Sequence, residues 1–176
     1  MTATTYRAPF PYFGGKSKVA ARVWERFGDV GNYVEPFFGS GAVLLGRPHS
    51  PRTETVNDLD GFICNFWRAV LADPEGVAAW ADHPVNELDL HARHAWLVAQ
   101  RERLTTQLRE DPDAFDAKVA GWWVWGISQW IGSGWCTQPK WEGRASAQRE
   151  RIWFSPHCLP PVRVRSVQHD LFGGES

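Results

Sequence analysis

Two short runs in the first third of the chain carry residue types suited to holding a small charged ligand. The first is Tyr33-Val34-Glu35-Pro36-Phe37-Phe38-Gly39-Ser40-Gly41. Its apolar half reads as a short buried strand, and Gly-x-Gly then opens a brief apolar helix at Ala42–Leu45. Glycines at such a turn let backbone pass close to a ligand with no Cβ in the way, although any tight strand-to-helix turn also wants glycine. Glu35 is more telling. A carboxylate at the end of a buried strand is costly unless a cationic or hydrogen-bonding group meets it, and a ligand ammonium would serve. Seventeen positions past Gly41, Asp58 stands at the end of the next expected strand, a placement suited to bonding ribose hydroxyls. The second run is Tyr12-Phe13-Gly14-Gly15-Lys16. It reads as a turn that could offer backbone N–H groups and one positive charge to an anionic group, or as a simple turn. It does not meet the GxxxxGK[ST] pattern of a phosphate-binding P-loop.

The elements that would position these residues follow from periodicity. Met1–Pro11 is polar and proline-punctuated, hence extended. Val19, Ala20, Val23, Trp24 and Phe27 have helical spacing within Lys16–Phe27, and Gly31-Asn32 breaks that helix. Thr53–Asn57 reads as a second strand, and the connection from Gly39 to Arg52 is long enough for a parallel β-α-β crossover. Phe62, Ile63, Phe66, Trp67, Val70 and Leu71 form a helical stripe with Asp60 as N-cap. Asn86 to Glu110 reads as a long amphipathic helix, with Asn86 and Asp89 close to a capping box, and about Asp113–Trp125 as a shorter one. Ile127–Trp135 is rich in Gly and Trp, and Gly132-Ser133-Gly134 reads as a tight turn or a phosphate approach. Val162–Val167 alternates as a half-buried strand. The expected fold is α/β: a partial Rossmann-like sheet with a helical, Trp-rich insertion. Residues 1–60 form the α/β part, 61–160 the insertion and 161–176 the returning strand.

Composition narrows the class. With 176 residues, 43 % hydrophobic and 22 % charged, the chain can build its own core, and wholesale disorder is excluded. No apolar run approaches the ~18 residues that span a bilayer, and the Thr-rich start is no signal peptide, so a cytoplasmic, membrane-free protein is expected. Cys64, Cys136 and Cys158 are too scattered for a disulfide scaffold or a zinc ribbon and read as structural thiols. His91 and His94 share a helix face without an evident third ligand, so no metal is expected. The net charge of −1 hides a basic start, an acidic middle and a basic stretch over 140–165, which could present a positive face to a polyanion. Seven of the eleven tryptophans fall between Trp122 and Trp153. Most supply core, while one or two among Arg144, Arg149 and Arg151 could stack on bases.

Pro11-Tyr12-Phe13-Gly14-Gly15-Lys16, then Tyr33 to Val43, then Val56-Asn57-Asp58-Leu59-Asp60 with Phe66-Trp67 downstream, together resemble the Dam-like DNA adenine-N6 methyltransferases in order and spacing. The likeness spans about residues 9–70. It implies an open α/β sheet that binds S-adenosylmethionine, a helical target-recognition insertion, and duplex DNA as partner. By the same resemblance, Tyr12 and Lys16, with Gly14 and Gly15 between them, lie against the methionine part of the cofactor. Glu35, Pro36, Phe37, Gly39 and Gly41 form its main loop, with Glu35 near the ammonium, and Asp58 takes the ribose hydroxyls. Asp170, in Asp170-Leu171-Phe172, falls where such enzymes place an acid near the cofactor's adenine. Lys140, Arg144, Arg149 and Arg151 are the candidate DNA-phosphate contacts.

The family's catalytic signature is Asp-Pro-Pro-Tyr or a close variant. Its acceptors turn the lone pair of the flipped adenine's amine toward the methyl donor, and its aromatic ring stacks on the base. No such motif occurs in the chain: Pro160-Pro161 has no acid before it and no aromatic after it, and Ser176 falls about where the catalytic strand should begin. No catalytic residue is therefore assigned. Three readings follow: an adenine-N6 methyltransferase or its N-terminal portion; a catalytically silent binding module, or half of a split enzyme whose second chain supplies the motif; and an unrelated α/β binding protein.

Overall fold

The computed structural model describes residues 6–12, 14–131 and 134–136. It is a mixed α/β structure with a small parallel sheet. A 3₁₀ turn at Lys16–Lys18 precedes helix α1 (Ala20–Phe27). Strand β1 (Asn32–Glu35), helix α2 (Ala42–Leu45) and strand β2 (Thr53–Val56) follow. The two strands pair in parallel, Asn32 opposite Thr53 through Glu35 opposite Val56, as the crossover length predicted. Helices α3 (Gly61–Ala72), α4 (Pro74–Ala81), α5 (Glu87–Glu110) and α6 (Ala117–Gln129) form the rest.

Several expectations are corrected. The helix expected over Lys16–Phe27 breaks at Val19 (φ −112°, ψ −7°), where the tighter Lys16–Lys18 turn hands over to α1. The strand expected over Tyr33–Phe38 stops at Glu35, because Pro36 has no N–H to continue the ladder. Nor is that strand wholly buried. Tyr33 and Glu35 face a core of Ala20, Val23, Trp24 and Val43, whereas Val34, on the opposite face, is 58 % exposed. The last helix starts at Ala117 rather than Asp113, because the Asp116 side chain accepts from Val119 N (2.9 Å) while Asp111 closes a separate turn onto Asp113 N (2.9 Å). Helix α4 was not foreseen, although Asp73-Pro74 is a cap-plus-Pro start and the Asp73 carboxylate accepts from Gly76 N at 2.9 Å. The caps at Asp60 and Asn86 stand where the sequence put them. The expected strand over 162–167, and with it the 161–176 segment, lies outside the described residues.

The helices share a core of Phe62, Ile63, Phe66, Leu97, Leu104, Val119 and Trp123, into which Phe10 inserts from the N-terminal segment. Two polar devices fix their relative placement. Fully buried Asn65 brackets Asp116, donating to its carbonyl (2.9 Å) and accepting from its N–H (2.8 Å). The Arg68 guanidinium lies within 3.1–3.3 Å of the carbonyls of Leu108, Asp111 and Ala114, gathering acceptors at the end of α5 and in the turn after it.

Candidate functional site

The ends of the two strands stay joined beyond the ladder. Asn57 N donates to Glu35 O and Phe38 N to Asn57 O, both at 2.9 Å. The Asn57 side chain reaches Pro36 O at 3.2 Å. The chain then turns through Gly39 (φ +54°) and Gly41 (φ +66°). A Cβ on Gly39 would meet the Tyr12 ring at 3.0 Å, and one on Gly41 would meet Phe38 at 2.9 Å and Trp67 at 3.1 Å. Both positions thus combine left-handed backbone with a crowded neighbour, a pairing that glycine alone accommodates without strain. Asp58 organises the loop from the other strand: one oxygen accepts from Gly39 N (2.8 Å), the other from Asp60 N (3.0 Å). Trp67, on α3, donates its indole N–H to Gly39 O at 2.9 Å.

Glu35 has a cationic partner within the chain. The Lys16 ammonium lies 3.4 Å from its carboxylate and donates to Phe37 O at 2.6 Å, while the Tyr33 hydroxyl donates to the other carboxylate oxygen at 2.8 Å. Burial nevertheless raises the Glu35 pKa, outweighing the opposing pull of Tyr33 and Lys16. Burial, with the carboxylates of Asp58 and Asp60, pushes the Tyr12 phenol up to about 12, so it remains a neutral donor at physiological pH. Asp60 is also raised, first by burial.

A cavity of about 270 Å³ opens at the carboxyl end of the parallel strands. Tyr12, Gly14, Gly15 and Lys16 line one side; Phe37, Gly39 and Asp58 line the other. Three separated stretches of sequence converge there. Glu35, Pro36 and Gly41 do not line it: Glu35 lies beneath Lys16, and Gly41 is packed behind the loop between Phe38 and Trp67. Buried Ser40 does line it, as do Phe38 and Ala42, and none of these was singled out from the sequence. Trp67 was not foreseen as a loop contact either. Its signal was positional, since it lies seven residues beyond the Asp60 cap on a helix that starts beside Asp58. Asp170, Lys140, Arg144, Arg149 and Arg151 lie outside the described residues.

Away from the cavity, the two helix-face histidines have structural partners. His94 stacks on Trp130 (centroids 5.1 Å apart, 14° between planes), and His91 is 3.7 Å from Glu87. Among the described residues no group of three His, Cys, Asp or Glu is placed to hold a metal ion. Burial pushes the Cys136 thiol up to about 12, which favours its protonated form. Among the described residues, no helix is long and apolar enough to cross a membrane.

No curated protein and no solved structure matches the chain. A family model, D12 class N6 adenine-specific DNA methyltransferase, matches residues 12–116, more than half of the sequence. The match begins at Tyr12 on the cavity rim, takes in both strands, the glycine loop and Asp58, and runs through α3, α4 and α5 to the Asp116 cap of α6. The chain belongs to the D12 class of N6 adenine-specific DNA methyltransferases.

Proposed function

We propose that this chain is an adenine-N6 DNA methyltransferase, or its N-terminal portion, with S-adenosylmethionine held in the cavity at the strand ends and duplex DNA as substrate. The observation that carries the reading is the meeting of Tyr12–Lys16, the Gly39 loop and Asp58 around one cavity, within the segment that matches the family. At about 270 Å³ the cavity is just below the ~300–1,000 Å³ range of small-molecule sites, so it suits one part of such a ligand, with the rest along the open rim at Phe37.

The residues present fit the cofactor. A side chain on Gly39 would collide with the Tyr12 ring, so the loop keeps its close approach to that ring. The Lys16 ammonium donates to Phe37 O and stands 3.4 Å from Glu35, and with three N–H groups it keeps donor capacity for a ligand carboxylate. Each Asp58 oxygen already accepts one backbone N–H and retains a lone pair for a ribose hydroxyl. Tyr12 offers an uncharged ring and hydroxyl. Asp58 on the cavity wall gives the surroundings a negative bias suited to a sulfonium. When bound, S-adenosylmethionine supplies an electrophilic methyl group; the chain's residues bind it, orient it and exclude water beneath the glycine loop. We place the DNA contacts at Lys140, Arg144, Arg149 and Arg151.

A second reading is favoured by one sequence fact: no Asp-Pro-Pro-Tyr occurs in the 176 residues. Here the chain is a binding module that acts with catalytic groups supplied by another chain. Incubation with labelled S-adenosylmethionine and mixed-sequence duplex DNA separates the two. Label on adenine establishes activity and requires another group in place of the missing loop. Cofactor uptake by calorimetry without transfer rejects a complete enzyme and selects a chain that binds the cofactor and lacks the catalytic groups. Neither uptake nor transfer by folded protein rejects both.

A further inference from the structure

Gly39 has both of its backbone polar groups committed to side chains. Its N–H is held by Asp58 and its C=O by the Trp67 indole, at 2.8 and 2.9 Å. In a trans peptide the N–H of the following residue points opposite to the preceding C=O. Holding the Gly39 carbonyl on Trp67 therefore aims the Ser40 N–H away from α3, and Ser40 lines the cavity. The same indole is the wall behind the loop: its ring packs on Phe38 (centroids 5.0 Å) and leaves no room for a Cβ on Gly41. Trp67 itself is fixed by the helical core, since the neighbouring Phe66 ring packs on Phe10 (5.1 Å) and Trp123 (6.0 Å).

We propose that Trp67 is a positioning residue: its indole N–H orients the Gly39-Ser40 peptide and thereby sets the affinity of the cavity for S-adenosylmethionine. It contacts the loop rather than the ligand. The inference rests on the cofactor reading given above.

The test is calorimetric titration of the full chain with S-adenosylhomocysteine. Trp67→Phe keeps a ring against Phe38 and removes the donor, and affinity is expected to fall roughly three- to tenfold, the scale of one lost hydrogen bond. Leu104→Ala, which truncates a buried α5 side chain and leaves the indole donor of Trp67 in place, destabilises the core and should leave affinity within about twofold. Equal affinity of Trp67→Phe and wild type overturns the inference alone. An equal loss in Leu104→Ala does so as well, because the effect is then general destabilisation. Wild type that takes up no S-adenosylhomocysteine fails the cofactor reading, and the inference falls with it. If Trp67→Phe does not fold, the wild-type indole N–H resonance, identified by its proximity to the Gly39 α-protons, gives the answer. Slow solvent exchange and a shift on adding S-adenosylhomocysteine support the assignment; fast exchange or no shift overturns it.

Discussion

Asp58 holds the loop together, and in the proposed reading the same side chain meets the ligand. Its two oxygens hold Gly39 N and Asp60 N, so Asp58→Ala strips the acceptors from two backbone donors at the rim. The expected costs are about 1–3 kcal/mol of stability, read by urea unfolding, and weaker S-adenosylmethionine binding, read by calorimetry. Unchanged values in both would remove Asp58 from the site. Glu35 gives a pH signature. Because burial raises its folded pKa above the ordinary 4.5, the folded state holds that proton more tightly than the unfolded chain does. Its favourable contribution is complete below the unfolded value and is lost as pH rises through the folded one. The stability difference between wild type and Glu35→Gln should therefore move in favour of wild type between neutral pH and about 4.5. A pH-independent difference would show that Glu35 keeps its ordinary pKa.

The elements are joined by contacts far apart in sequence. Asn65 and Asp116 are 51 positions apart, and their paired bonds tie α3 to the start of α6. Asn65→Ala leaves an N–H and a C=O without those partners in a buried setting, with an expected loss of about 2–4 kcal/mol by chemical denaturation. A loss under 1 kcal/mol would mean that water replaces the amide. Helices α4 and α6 approach closely at Gly121, where a Cβ would lie 2.7 Å from Val77 O. Gly121→Ala should force the pair apart and cost roughly 1–3 kcal/mol in the same assay, opposing the helix propensity that alanine gains. A stabilised variant would contradict this packing.

For the molecule as a whole, charge distribution is the relevant scale. The basic stretch over 140–165 contrasts with the acidic middle of the chain, and DNA affinity should fall steeply with salt. Replacing Lys140, Arg144, Arg149 and Arg151 with serine should reduce the slope of log K against log salt by up to about 4, close to 0.9 for each phosphate that is no longer neutralised. An unchanged slope would assign the phosphate-binding cations elsewhere. Two cations of the described helices are held on aromatic faces: Lys118 lies over the rings of Trp80, Trp96 and Trp122, and Arg93 over those of Trp122 and Trp125, at 4.4–5.2 Å. Part of the tryptophan richness thus serves to hold charge against the helical body.

Features set by neighbours in sequence could be read without coordinates. The Gly39 and Gly41 turn, the caps at Asp60 and Asn86, and the parallel crossover depend on turn chemistry, short-range hydrogen bonds and connection length. Even the need of buried Glu35 for a cation follows from desolvation alone. What met that need did not. Lys16 reaches Glu35 and Phe37 O because α1 packs Val23 and Trp24 against Tyr33 and Val43, an arrangement of surfaces that no local spacing specifies. The same is true of the bond from Trp67 to Gly39 and of the inclusion of Ser40, rather than Gly41, in the cavity wall. Periodicity gives a helix its buried face, but the partner of that face is fixed by close packing of the whole core, and tertiary structure alone decides it.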